Sequence, residues 1–496
     1  MAAQHRKWSL AALLEPWCQM EAEADVEVLG MGLDSREIQP GWVFCAVQGE
    51  HSHGLRFLPQ ALERGAVAVL SDREPEYELP VPVVVMPDLK VLLGPIAARF
   101  HGDPSRQMTV IGVTGTDGKS SVAHYIAQAL AVERANAAIV GTLGYGYPGE
   151  LKRLRHTTPD ALTVQAILAE LRDQNARWVV MEASSHGLAQ DRLNGVAFDQ
   201  AVLTHLSRDH LDYHGTQEAY AAAKQKLFSW PGLDVAVINL DDAFGRKLLQ
   251  QIRPAPRWIA YTLEDRKADD AEVVFGRDLV LTPHGISLHV VTPWGDARVE
   301  SALYGRFNAA NLLAALASLL GLGVHLADAA ERLRQVSAVP GRMERFQVPG
   351  KPLAIVDYAH TPGALEAALG AIRAHGARRI ICVFGAGGER DAGKRPLMSG
   401  VAERYADLVI LTDDNPRGEA PGDIVADLLT GMRNPESVEI IHDRKQAILS
   451  ALGKAEAEDV VLIAGKGHET EQITAEGAYP HSDRDFVAAW MSGEAI

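Results

Sequence analysis

Residues 108–130 read MTVIGVTGTDGKSSVAHYIAQAL. The opening apolar run predicts a strand, the glycine-punctuated middle predicts a turn, and SVAHYIAQAL carries a helical pattern. A glycine-rich turn in that position suits an anion. Glycines let backbone N–H groups face a phosphate, and the helix N-terminus adds a favourable dipole. Lys119 would reach terminal phosphates and the Ser120 hydroxyl would ligate Mg2+. The eight-residue form of the phosphate loop needs glycine where Val113 stands, so the match is to the shorter G-x-x-G-K-S. The bland alternative is a glycine turn with an exposed lysine; the flanking strand and helix argue against it.

The same grammar recurs outward from this stretch. WVVMEA precedes SSHG and AVLTHL precedes SRDH. Further on, LAIVDY precedes AHTPGA, RIICVF precedes GAGGERD, LVILT precedes DDNPRGE, and VVLIA precedes GKGHE. Continuous apolar runs are expected of parallel strands covered on both faces, and their alternation with helical segments argues for two open α/β sheets. In such sheets ligands gather beyond the carboxyl ends of the strands, where these polar clusters fall. Two stretches look like joints: FHGDPSRQ (100–107) and SAVPGRMERFQVPGKP (337–352). They divide the chain into 1–105, 106–339 and 340–496. The first segment is less legible, with VFCAV, AVAVLSD and VPVVVMPD reading as strands of a small α/β domain.

Composition bounds the function. The chain has 496 residues, enough for about three domains with cores of their own. Lys plus Arg is 48 against 64 Asp plus Glu, a net charge of −16. That balance argues against nucleic acid or an anionic membrane as partner. The three cysteines, Cys18, Cys45 and Cys382, are too few and too odd for a disulfide framework and fit a reducing cytoplasm. No apolar run approaches a membrane span, and the N-terminal patch broken by Glu15 reads as a first helix rather than a signal peptide.

TGTDGKSS, MEASSHGLAQDRL, GRFNAAN and DYAHTPGAL occur in this chain together with LDSR…PGWVFCAVQG at the N-terminal end. This set resembles the Mur ligases, the ATP-dependent amide-bond ligases that build the peptide of bacterial cell-wall precursors. The resemblance spans essentially the whole chain. It implies a UDP-binding first domain, a central P-loop-type ATPase and a Rossmann-like third domain. GAGGERDAGKRPLM, LTDDNPRGE and AGKGHE resemble the branch whose amine donor is meso-diaminopimelate. The implied reaction phosphorylates a carboxylate of UDP-N-acetylmuramoyl-L-alanyl-D-glutamate with ATP and Mg2+. The amine then captures the acyl phosphate and orthophosphate leaves. Such a site must crowd cations around two anions, so positioning and electrostatics should dominate.

By resemblance, ATP is held by Gly115, Thr116, Asp117, Gly118, Lys119, Ser120 and Ser121, with Asn308, Arg342 and Asp357 on the nucleotide side. The family loop commonly reads GTNGKTT; here Asp117 adds a charge, and the serines keep the hydroxyls. Glu182, His210 and Lys224 join Ser120 around the metal, Lys224 as a CO2-derived carbamate. Without the resemblance, Glu182 is as readily a solvated strand end as a ligand, His210 a surface or core histidine, and Lys224 a solvated helical lysine. Asn308 could equally cap the helix that follows, with Asn311 beside it. Lys394 and Arg395 are candidate cations near the phosphates or members of a solvated face, and His360 is a weaker candidate.

The resemblance places UDP on Leu33, Ser35, Glu50, His51 and Ser52. The muramoyl peptide then crosses to Thr157, Thr158, Ser184, Gln190 and Arg192, whereas His156 replaces an expected Asn. It assigns diaminopimelate to Arg390, Asp414, Asn415, Pro416, Arg417, Gly465 and Glu469. A forked guanidinium suits the distal carboxylate and an acidic group suits the ammonium. DNPR is otherwise a plain turn. A lysine-adding Mur ligase, a folylpolyglutamate synthase-type ligase and a non-ligating nucleotide switch are the alternatives. A cytoplasmic monomer is expected.

Overall fold

The computed structural model describes residues 7–21, 24–49, 52–131, 136–252 and 256–494. They form two compact units, 1–260 with 268–272, and 261–267 with 273–496.

Two sheets of the first unit lead to candidate site residues. A four-stranded parallel sheet runs Gly30–Gly32, Trp42–Ala46, Ala68–Ser71, Val83–Val85. All three strands expected in the first segment are present. Gly30–Gly32 was not expected, because a Gly-Met-Gly strand carries no apolar signature. The expected first helix is short, Leu10–Leu14, capped by Ser9, and buries Leu10, Leu13 and Leu14. Glu50 and His51, expected to bind UDP, lie outside the described residues.

The larger sheet of this unit contains parallel strands in the order Ala137–Gly141, Trp178–Glu182, Thr109–Thr114, Gln200–Leu203, Val235–Asn239. Most of their residues are fully buried, as continuous apolar runs require. Parallel pairing puts every carboxyl end on one rim. Register sets Glu182 opposite Val113 and Leu203 opposite Thr114, beside the turn into helix Lys119–Leu130.

From Val273 onward the second unit holds an antiparallel meander of strands Glu272–Thr282, Gly285–Thr292 and Gly295–Ser301, irregular between Arg277 and Val280. Helix Arg306–Gly321 follows and is buried on most of its sides. A six-stranded sheet then runs Glu344–Phe346, Leu353–Asp357, Val460–Ala464, Ile380–Phe384, Leu408–Leu411, Glu439–Ile440. All of its neighbours are parallel except Glu344–Phe346. That edge strand lies inside the stretch read as the second joint; the VPGK turn folds it back onto Leu353–Asp357. The α/β fold class with mostly parallel sheets is therefore as expected.

Candidate active site

The phosphate loop is built around Gly115 and Gly118. Gly115 has φ 152°, and a Cβ there would lie 1.9 Å from Thr204 Oγ1. Only glycine permits that approach. Thr204 Oγ1 in turn donates to Asp117 O at 2.5 Å, and Thr116 N donates to His205 O. The loop is thus tied to the end of the neighbouring strand. The Asp117 side chain is exposed. Ser120 and Ser121 are buried in the first turn of the helix. Lys119 Nζ folds back onto Gly115 O (3.0 Å) and Thr116 O (2.6 Å).

Lys224 lies beneath the loop, not on a solvated face. It is 1% exposed and donates to the same Gly115 carbonyl at 2.6 Å. Its ammonium sits 4.7 Å from the Tyr220 ring centroid. Burial, and secondarily the Lys119 charge, hold its pKa well below the usual lysine value. That direction favours the uncharged amine, the form that reacts with CO2.

Glu182 is also buried, which removes the solvated alternative. Oε1 accepts from Thr142 N (2.9 Å) and Oε2 from Thr142 Oγ1 (3.1 Å). Thr142 Oγ1 lies 3.1 Å from Thr157 Oγ1, and Thr158 Oγ1 donates to Glu182 O at 2.8 Å. Ser184 N donates to Thr158 Oγ1. Arg192 donates to Thr158 O and, through Nε and Nη2, to Gln190 Oε1. The expected peptide-binding residues Thr157, Thr158, Ser184, Gln190 and Arg192 thus form one hydrogen-bonded chain attached to Glu182. His156 stands exposed beside it. Thr142 was missed; its place just past strand Ala137–Gly141, on the same rim, was the available signal.

His210 is half exposed, with φ 51°, its ring 4.8 Å from His186 and its Nε2 3.4 Å from Asp209 Oδ2. Among the described residues no three His, Cys, Asp or Glu side chains gather as a metal cage. The expected donors are the Glu182 carboxylate, the Ser120 hydroxyl and the His210 imidazole. A hard cation that keeps water and phosphate oxygens in its shell fits such a set.

On the four-stranded sheet, Ser35 Oγ donates to Gln60 Oε1 and Leu33 packs on the domain core. Ser52 O accepts from Gly49 N. His53 and Asp72, both missed, brace this loop. Asp72 accepts from Gln48 N (3.1 Å) and pairs with His53 Nε2 (2.5 Å), while His53 Nδ1 accepts from Leu55 N.

In the second unit Asn308 does not cap its helix. Gly305 occupies the cap position, and Asn308 Nδ2 donates to Tyr304 O at 2.8 Å from inside the first turn. Asn311 Nδ2 donates to Asn308 Oδ1. Asp357 accepts from Met343 N and Ala359 N, ordering the segment that carries Arg342. Burial pushes its carboxyl up to about 6. Arg342 lies over the Tyr358 ring, with its Nε buried and unpartnered among the described residues. Arg395 is neither solvated nor open to phosphates: it is buried against Glu419 and Asp427. Lys394 Nζ donates to the carbonyl of exposed His360.

The DNPR segment is pinned by the hairpin of Glu471–Thr474 and Gly477–Pro480. Ile473 N donates to Asn415 Oδ1, and Arg417 N donates to Ile473 O. Arg417 uses only Nη1, toward Gly388 O (2.9 Å) and Asn415 O (3.3 Å). Its Nε–Nη2 edge is uncommitted among the described residues. Arg390 is exposed with no bonding partner among them. Asp414 is buried beside Gly465, and burial raises its carboxyl. Pro416 O lies against Gly388, where a Cβ would come within 1.9 Å. Glu469 Oε2 accepts from Asn415 Nδ2 and Lys466 Nζ. Two guanidinium edges and one carboxylate are thus presented by adjoining loops.

Family models match three stretches: the Mur ligase family catalytic domain over 27–101, the Mur ligase middle domain over 113–319, and the Mur ligase glutamate ligase domain over 341–467. A protein of Alkalilimnicola ehrlichii named UDP-N-acetylmuramoyl-L-alanyl-D-glutamate–2,6-diaminopimelate ligase is 49% identical, covering 98% of this chain and 99% of its own. One of the same name from Pseudomonas aeruginosa is 48% identical, covering 95% and 97%. A solved structure of a ligase of that name superposes with TM-score 0.75 at 37% identity, covering 98% and 99%. With its loop, its rim of strand ends and its full-length likeness to these proteins, the chain belongs to the Mur ligase family.

Proposed function

We propose that this chain is the ATP-dependent ligase that adds meso-2,6-diaminopimelate to UDP-N-acetylmuramoyl-L-alanyl-D-glutamate, releasing ADP and orthophosphate. Its relatives carry that name. The observation that favours diaminopimelate is the pair of uncommitted guanidinium edges, Arg390 and Arg417, beside the Glu469 carboxylate. A second carboxylate on the amine donor can pair with both, whereas lysine offers them no partner. Three functional domains are assigned: 1–105 to the UDP-sugar, 106–339 to ATP and ligation, and 340–496 to the amino acid.

Lys119 leaves its two loop carbonyls for the terminal phosphates, and the loop N–H groups and helix N-terminus take the rest. An acceptor carboxylate oxygen attacks the γ-phosphorus, ADP departs, and the acyl phosphate forms. The donor's amine attacks the acyl carbon, loses a proton, and orthophosphate leaves. The neutral Lys224 amine attacks CO2, forming an N–C bond and releasing a proton, so a buried amine becomes an anionic oxygen donor. Ser120, Glu182, His210 and the Lys224 carbamate are the groups that would hold Mg2+. That ion, when bound, supplies neutralising charge to the phosphate oxygens. Arg192 would turn from Gln190 to an anionic group of the acceptor.

No helix among the described residues is long and apolar enough to cross a membrane. A cytoplasmic monomer with no nucleic-acid or membrane partner accords with the −16 charge. The test is a product assay offering diaminopimelate and L-lysine in competition, with ATP and the UDP-linked dipeptide. A predominantly lysine product, or ATP turnover without any amine, overturns the proposal.

A further inference from the structure

Lys466 has no role in the chemistry above, yet its side chain is 0% exposed. Its Nζ donates to Asn415 Oδ1 at 2.9 Å and to Glu469 Oε2 at 2.8 Å. Both partners belong to the set assigned to the amine donor. The neighbouring buried pair, Arg444 with Asp483, bonds His481, Ala464 O and, at 3.5 Å, Asp413 O, and among the described residues makes no hydrogen bond to Asn415, Arg417 or Glu469. Lys466 is therefore the buried cation whose bonds run to the recognition residues.

Its geometry decides two orientations. Asn415 Oδ1 accepts from Lys466 Nζ and also from Ile473 N at 2.9 Å. A flipped amide would set its NH2 against two donors, so Nδ2 must face Glu469. Glu469 Oε2 then accepts from both Asn415 Nδ2 and Lys466 Nζ, leaving Oε1 without a hydrogen-bond partner among the described residues. A carboxylate so held offers one preset oxygen to an ammonium. Holding it costs the ligand little ordering, which is how preorganised groups gain affinity.

We infer that Lys466 is a positioning residue for the amine donor, fixing Asn415 and Glu469 so that Glu469 Oε1 receives the donor's ammonium. This rests on the assignment of a zwitterionic amine donor to Asn415 and Glu469.

The test is steady-state kinetics of the full chain carrying Lys466→Met, Lys466→Gln, Asn415→Ala, and Lys466→Met with Asn415→Ala, with thermal midpoints recorded. Loss of two charge-assisted bonds in Lys466→Met should raise KM for diaminopimelate about 30-fold, with kcat and the KM values for ATP and the UDP-dipeptide within about threefold. The double variant should be little worse than Asn415→Ala alone, because both changes act on one network. A merely structural lysine would move all three KM values together, or add its effect to that of Asn415→Ala; either result overturns the inference. So does an unchanged diaminopimelate KM, or failure of both Lys466 variants to fold. If the wild-type chain ignores diaminopimelate, the proposed function falls instead, and the same KM comparison is made with whichever amine it ligates.

Discussion

Replacing Arg417 by leucine should collapse the preference for a dicarboxylic amine while sparing a monocarboxylic one. Arg417 spends Nη1 on Gly388 O and Asn415 O and keeps its Nε–Nη2 edge uncommitted among the described residues. That edge can make two parallel bonds to one carboxylate. Hydrogen bonds to charged groups contribute about 1.5–3 kcal/mol each, so the fork is worth about 3–6 kcal/mol. In kcat/KM for diaminopimelate this is a loss of about 10² to 10⁴. Lysine lacks the second carboxylate, so its kcat/KM should change by no more than about threefold. Arg417→Lys keeps the charge without the fork and should fall between. The assay is amide product formed from each amine separately, at saturating ATP and UDP-dipeptide. If Arg417→Leu leaves the ratio of the two kcat/KM values unchanged, or lowers both equally, the recognition argument is wrong.

Lys224→Ala should lose turnover, and added bicarbonate should not restore it, since no amine remains to take up CO2; a fully active variant would remove the carbamate from the account. Asp357, raised from 3.8 to about 6 by burial, binds its proton more tightly folded than unfolded. Its contribution therefore favours the fold at low pH and is lost as pH rises from about 4 to about 6. The urea midpoint of wild type minus that of Asp357→Asn should fall across that window and stay level above it; a flat or rising difference contradicts the assignment. Asp72→Asn should loosen the loop that it braces through Gln48 N and His53. The expected result is a rise of about tenfold in KM for the UDP-dipeptide with KM for ATP unmoved, checked by initial rates.

The parallel strands were legible because burial on both faces writes them as unbroken apolar runs, such as VVMEA before the SSHG turn and IICVF before GAGG. The meander of 272–301 was not, since its strands are half exposed and one carries an irregularity between Arg277 and Val280 that breaks alternation. Strand-terminating residues such as Glu182 could be placed on the rim from the sequence, their metal role coming only from the resemblance. Those acting through tertiary partners could not. Thr142 matters only because strand pairing sets it against Glu182, and Lys466 only because its ammonium meets Asn415 and Glu469. Arg395 misled for the same reason. A Lys-Arg pair after a glycine turn resembles a phosphate site, whereas the fold sends the arginine inward to Glu419 and Asp427. Asn308 sits where a cap would be expected, but Gly305 ends the preceding segment and leaves the asparagine inside the helix.

The sharpest measurement follows oxygen. With the glutamyl carboxylates of the UDP-linked dipeptide labelled with heavy oxygen, one labelled atom per turnover should appear in the liberated orthophosphate, because the carboxylate oxygen that attacks ATP leaves with the phosphate. Orthophosphate free of label, with full label retained in the peptide product, would contradict an acyl phosphate and with it the proposed reaction.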